Sequence, residues 1–239
     1  MAQRGARVLD EFIMTKGFLF VLHLSLFAAL GAAQAASLQG ELVDAKGAPL
    51  ANAVVTLQGP ANGAAPPGKA VMDQQDMRFV PTVLAVRTGT AVTFPNRDDI
   101  RHHVYSFSAP KRFELRLYQG TPSAPIVFDK PGLVVLGCNI HDWMVGYVYI
   151  TDDPWFAVSD AQGKLSIDNL PAGDYRVTLW HSALPDMLPQ QGAALKVEAG
   201  PVQQRFQLPI EAPSETDPPG APPSAFGDAF KKAVEHGSH

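Results

Sequence analysis

The chain has 239 residues, 19 of them basic and 23 acidic, for a formal net charge of −4. Nothing basic gathers into a stripe, which excludes nucleic acid as an expected partner. A single cysteine excludes an internal disulfide framework, so packing must stabilise the fold, and the length suffices for one large or two small domains.

Residues 1–35 read as an export signal. Arg4, Arg7 and Lys16 precede the apolar run from Gly17 to Ala33, and Ala33-Gln34-Ala35 fits small-x-small cleavage. The alternative is an uncleaved anchor, since the leading region is long and contains Asp10 and Glu11. The run, about seventeen residues interrupted by His23, is short for a stable span. No later stretch is apolar for long enough to cross a bilayer. Cleavage leaves 16 basic and 21 acidic side chains, a charge of −5. The expected location is the periplasm, where an unpaired cysteine is a liability unless buried or metallated.

From 37 to 60, two alternating runs flank the turn Asp44-Ala45-Lys46-Gly47 and the Pro49-Leu50 step, which predicts a hairpin. Residues 60–69 are rich in Gly, Ala and Pro and mark a boundary. An alternating strand from Gly89 to Phe94 then ends in a polar turn through Asn96, and the chain re-enters a strand at His102-His103-Val104. Phe128-Asp129-Lys130-Pro131-Gly132 makes a turn into the apolar run Leu133–Leu136. The next residues are Gly137-Cys138-Asn139-Ile140-His141-Asp142-Trp143-Met144-Val145-Gly146. A thiolate, an imidazole and a thioether within seven residues form a soft donor set with one poorly bonding member, which suits copper better than zinc or a hard cation. Taken singly, the blander readings hold: a lone cysteine or methionine is usually core filler. Their joint spacing inside a strand pattern reverses that weighting.

These three pieces, in this order, resemble the cupredoxins, the plastocyanin- and amicyanin-like type 1 copper proteins, over about Val71 to Asp152. The resemblance implies a Greek-key β-sandwich at 68–152. It also implies one copper ion held by His102, Cys138 and His141, with Met144 as a weak axial ligand. His103 competes with His102 for the first role. Adjacent strand residues face opposite sides, so only one of them enters the site without a bulge. The interval from Asn96 and the His-x-Val spacing favour His102. Ile140, Trp143 and Val145 form an expected apolar patch around His141, against the reading in which Trp143 packs on the sandwich. Asp142 replaces the proline often found after this histidine, and the small Gly137 leaves room for water beside the cysteine.

From 153 to 210, alternating runs surround Asp160-Ala161-Gln162-Gly163 and Leu170-Pro171-Ala172-Gly173-Asp174-Tyr175, and two more runs read as strands on either side of Gly200-Pro201. Together with 37–60 these resemble the two halves of a carboxypeptidase-regulatory-like, transthyretin-like β-sandwich, with the copper module between them. His181 is expected to be a structural hydrogen-bonding residue, with a second metal role as the alternative. Tyr105, Phe107, Phe113 and Tyr118 are core or partner surface. Residues 211–239 read as a disordered Pro-rich tail, with a short helical turn at Phe226–Val234 too brief to be stable alone.

Period-two patterning nearly throughout predicts an all-β protein. The implied function is a periplasmic single-electron carrier that docks a redox partner such as a cytochrome, oxidase or dehydrogenase. A copper-binding protein for sequestration, delivery or tolerance, acting with copper-handling proteins, is the alternative, and an adhesion or scaffold module comes third. An enzyme is not expected, because no further histidine cluster supplies the extra copper centres of multicopper oxidases or nitrite reductases.

Overall fold

The computed structural model describes residues 36–122 and 124–211. The expected export signal, the tail beyond Glu211, His236 and His239 lie outside them. The described residues form strands and no helix, so the all-β expectation holds, and none of their segments is a helix long and apolar enough to cross a membrane.

The strands in chain order are β1 (Ala36–Val43), β2 (Val54–Gln58), β3 (Lys69–Val71), β4 (Asp73–Gln75), β5 (Arg78–Val80) and β6 (Val83–Arg87). Then come β7 (Thr90–Thr93), β8 (His102–Ser106), β9 (Phe113–Tyr118), β10 (Ile126–Phe128), β11 (Gly132–Cys138) and β12 (Val145–Thr151). The last six are β13 (Trp155–Val158), β14 (Lys164–Leu170), β15 (Gly173–Trp180), β16 (Gln190–Gln191), β17 (Leu195–Val197) and β18 (Pro201–Gln207).

Strands β3 to β12 pair only among themselves, as the sheets β10-β7-β3 and β6-β12-β11-β8-β9 and the small ladder β4-β5. Their shared core contains Phe79, Phe94, Phe128, Val134, Leu136 and Val148. Strands β1, β2 and β13 to β18 likewise pair only with one another, in the sheets β14-β1-β18 and β13-β2-β15-β16, with β17 on β15.

The expected hairpin between β1 and β2 is not made. β1 pairs β14 and β18, whereas β2 pairs β13 and β15 in the facing sheet. The turn itself is as expected. The Asp44 carboxylate accepts the amides of Lys46 and Ala48, both at 2.8 Å, and Gly47 takes φ 84°. After a single bridge from Val43 to Pro49, the chain buries Leu50 and Ala53 and crosses to the other layer. Alternation alone does not distinguish a hairpin from a corner, because both place every second side chain inward.

β11 explains the continuous apolar run. Val134, Leu136 and Cys138 lie in the core of the middle sheets, while Val135 belongs to the core of the outer strands. On β12, Tyr147 and Tyr149 face that same second core and pack edge-on and tilted against Trp180 of β15, with ring centroids 5.7 and 5.5 Å apart. The five-stranded sheet is thus covered on both faces along β6, β12 and β11, and such strands lose polar alternation. This arrangement anchors the cysteine at the end of a doubly buried strand.

Candidate metal centre

Cys138 ends β11 and is 3 % exposed; His102 opens β8, its antiparallel neighbour, and is 0 % exposed. Val104 lies opposite Cys138 in the ladder, so His102, two residues earlier on the same face, leans over the sulfur. The loop after β11 turns back tightly. The Asn139 amide donates to the His103 carbonyl at 3.1 Å, and the Met144 amide to the His141 carbonyl at 3.0 Å. These bonds fold the segment so that His141 Nδ1 stands 3.8 Å from Cys138 Sγ, while His102 Nδ1 stands 3.7 Å from it. The three donor atoms lie within 4.8 Å of one another.

That spacing fits a metal ion. Bonds of about 2.3 Å to sulfur and about 2.0 Å to nitrogen, at a trigonal angle of ~120°, separate the two donors by ~3.7 Å. His102, Cys138 and His141 are therefore the residues that would hold the ion. Met144, expected as the axial ligand, is buried in the same core cluster as Cys138.

His103 faces the other side of β8. Its Nε2 lies 2.8 Å from Glu114 Oε1, and Glu114 also accepts from Arg116. The irregularity needed to bring both histidines inward would lie in β8; it occurs instead in β9, where the register shifts between the pairs His102–Tyr118 and Val104–Leu115.

Two side chains that sequence reasoning gave no role, the buried Asn96 and the part-buried Asp98, support His102. Asp98 Oδ2 is 2.7 Å from His102 Nε2, and the carboxylate also accepts the amides of Asp76 at 2.7 Å and Met77 at 2.9 Å. Burial works to raise the Asp98 carboxyl, but the bond to His102, the Met77 and Asp76 amides and the His102 charge outweigh it and leave its pKa below the usual value. Asn96 accepts the Asp98 amide at 3.0 Å and donates to the carbonyls of Ile100 and Tyr118. The signal available in the sequence was Asn96-x-Asp98-x-x-x-His102, a polar turn placing a carboxylate four residues before a histidine.

Around the loop, Ile140 is 48 % and Trp143 43 % exposed, and the Trp143 ring lies 5.2 Å from that of His141. Val145, expected in the same patch, instead packs against the core of the outer strands. Gly137, expected to leave the strand open to water, is itself buried. Burial, and then the charge of His102, lowers the His141 pKa against the opposing pull of Asp98, which favours the neutral imidazole a metal needs. Of the four aromatics left open, Phe113 and Tyr118 pack on the inner core and Phe107 is exposed. Burial pushes the Tyr118 phenol up to about 12, and it donates to the Phe94 carbonyl.

His181 is fully engaged elsewhere. Its Nε2 lies 3.1 Å from the Ala51 carbonyl, and its Nδ1 accepts the Ala183 amide at 3.0 Å. Both ring nitrogens serve the backbone, as expected of a structural histidine.

No protein-family model matches the chain, and no curated protein matches it. Solved structures similar to it include a purple cupredoxin from Nitrosopumilus maritimus, 22 % identical with a TM-score of 0.30, covering 35 % of this chain and 99 % of that one. A reduced form of amicyanin is 23 % identical, with a TM-score of 0.32 and coverage of 41 % and 98 %. A copper-containing nitrite reductase from Thermus scotoductus is 26 % identical, with a TM-score of 0.33 and coverage of 46 % and 28 %.

Proposed function

We propose that this chain is a type 1 copper protein that carries single electrons between redox partners, with His102, Cys138 and His141 as equatorial ligands and Met144 as the weak axial one. The observation that carries the reading is the convergence of one sulfur and two Nδ1 atoms at 3.7 and 3.8 Å, from two neighbouring strands and a tight loop. Copper bound there supplies a reversible one-electron couple. The residues limit how far its surroundings rearrange: His102 is fully buried and braced by Asp98, and Cys138 lies in a strand packed on both sides. His141 is the ligand nearest to solvent, and the exposed Ile140 and Trp143 beside it suit a small, transient interface with a redox partner protein.

An extra ligand at His103 and the appended sandwich would both favour the delivery alternative; of these, His103 is held by Glu114 on the opposite face of β8. We read the chain as a periplasmic carrier rather than an enzyme, exported by residues 1–35. We also read 37–60 and 153–210 as one carboxypeptidase-regulatory-like sandwich interrupted by the copper module at 68–152. The pairing of Leu57 with Trp155, which brings the two ends of the interruption together, supports this.

The test is to add one equivalent of Cu(II) to the purified protein and record visible absorption and electron paramagnetic resonance beside Cys138→Ser. An intense thiolate-to-copper band, absent from the variant, is expected. A pale tetragonal spectrum indifferent to the substitution refutes the carrier, and nitrite turnover by the reduced protein would move it to the enzymes.

A further inference from the structure

We propose that Asp98 is the positioning residue of the centre: it fixes the tautomer and orientation of His102 and biases the site toward the divalent ion. The inference rests on the copper reading above and deepens it.

His102 has no access to solvent, so its second nitrogen must find a partner within the protein. That partner is Asp98 Oδ2 at 2.7 Å. An ionised carboxylate only accepts, so Nε2 carries the hydrogen and the lone pair resides on Nδ1. Nδ1 is the atom that faces Cys138 Sγ. The hydrogen bond therefore selects the one tautomer that can ligate a metal at this point.

The carboxylate is itself held in place. The β4–β5 connection has Asp76 at φ 54° and Met77 at φ 55°, conformations that side chains disfavour, and both amides donate to Asp98. On its other side the Asn96 side chain accepts the Asp98 amide and ties the same turn to β9 through the Tyr118 carbonyl. A hairpin tip, a polar turn and an edge strand thus converge on one carboxylate, whose Oδ2 accepts from the Met77 amide and from the ligand together. A surface acid pairing with a histidine by chance needs none of these supports.

The electrostatic consequence has a sign. A carboxylate on the far nitrogen raises the basicity of the ligating one. A fixed negative charge also attracts a doubly charged ion more strongly than a singly charged one at the same place. Cu(II) gains more than Cu(I), and the reduction potential is held down.

The experiment compares the full chain with Asp98→Asn, which keeps the shape but removes the charge, and Asp98→Glu, which keeps the charge. Affinities are measured by competition, Cu(II) against an aminocarboxylate chelator and Cu(I) against bicinchoninate. For Asp98→Asn we expect a Cu(II) loss of about 10–100-fold and a much smaller Cu(I) loss. The potential then rises by about 59 mV for each tenfold preferential loss. Asp98→Glu is expected to recover part of the difference. Equal losses for both ions, or unchanged affinities with the thiolate band intact, overturn the proposal and leave the copper reading standing. A wild-type chain without that band overturns both. Should the variants fail to fold, nitrogen-15 shifts of the Cu(I)-loaded wild type still decide. His102 protonated on Nε2 is expected, and an exchanging or unprotonated Nε2 refutes the positioning role.

Discussion

Removal of the Trp180 indole is expected to destabilise both halves of the protein together. Trp180 is fully buried in β15, packs against the rings of Tyr147 and Tyr149 of the middle sheet, and donates from Nε1 to the Met187 carbonyl at 2.9 Å. Truncating a buried aromatic to alanine costs roughly 3–5 kcal/mol. The Met187 carbonyl left without its partner adds about 1 kcal/mol, and the two ring contacts place the total toward the upper end, at about 5 kcal/mol. For a chain of this size, each kcal/mol lowers Tm by about 2–4 °C, so Trp180→Ala should lose ~10–20 °C. Two probes follow the transition: far-ultraviolet circular dichroism for all strands, and reaction of the buried Cys138 thiol with a maleimide for the middle sheets. The two midpoints should fall together. If Cys138 keeps its wild-type protection while the dichroism collapses, the middle sheets do not depend on the outer ones and the shared-core argument is wrong.

Three further outcomes follow from local geometry. Tyr175→Phe removes a buried hydroxyl that donates to the Pro171 carbonyl at 2.7 Å, a corner tie that should cost about 1–1.5 kcal/mol in urea titrations. Gly163→Ala forces a side chain into φ 71° against the Leu42 carbonyl oxygen and 3.1 Å from the Leu50 amide nitrogen, so a loss of at least about 2 kcal/mol is expected, and full stability would refute the strain. Burial lowers the pKa of His181, with the Ala51 hydrogen bond opposing it. The unfolded chain therefore takes up the proton first, and stability should be level in this group above its ordinary value of about 6.5 and decline as pH falls below it. In the metal-free protein His141 contributes in the same direction, so the part due to His181 is the slope that disappears in His181→Gln.

The donor set was legible because its chemistry and its spacing are both local. Cys138, His141 and Met144 fall within one loop; strand parity admits only one of His102 and His103, and the interval from Asn96 with the His-x-Val spacing favours His102. What was hidden depends on which sheet a strand joins. The run before Gly47 and the run after Leu50 have the pattern of a hairpin, yet they part into facing layers because Leu50 and Ala53 bury at the corner. Val145 looked like part of a surface patch until the outer strands were placed over it. Asp98 escaped notice for a different reason: an acid in a polar turn is usually solvated, and only the fold, through the Gln74–Asn96 bridge, brings the β4–β5 tip beside that turn and sets the part-buried carboxylate against His102.

The way the chain closes on itself also sets an order of assembly. β1 lies parallel to β18, so the earliest described strand pairs with the latest, Ser37 with Pro201. A contact that remote is slow to find, because the intervening chain must first be gathered in. Leu57 and Trp155, at the two edges of the long central excursion, are nevertheless neighbours in the same ladder. Once β3 to β12 have condensed, that excursion acts as a short tether rather than a long loop, and the outer strands meet at a much smaller entropic cost. Pulsed hydrogen exchange should accordingly protect the amides of Val134 and Val148 before that of Leu38. The chain would then complete its cysteine-bearing core while its two ends are still apart.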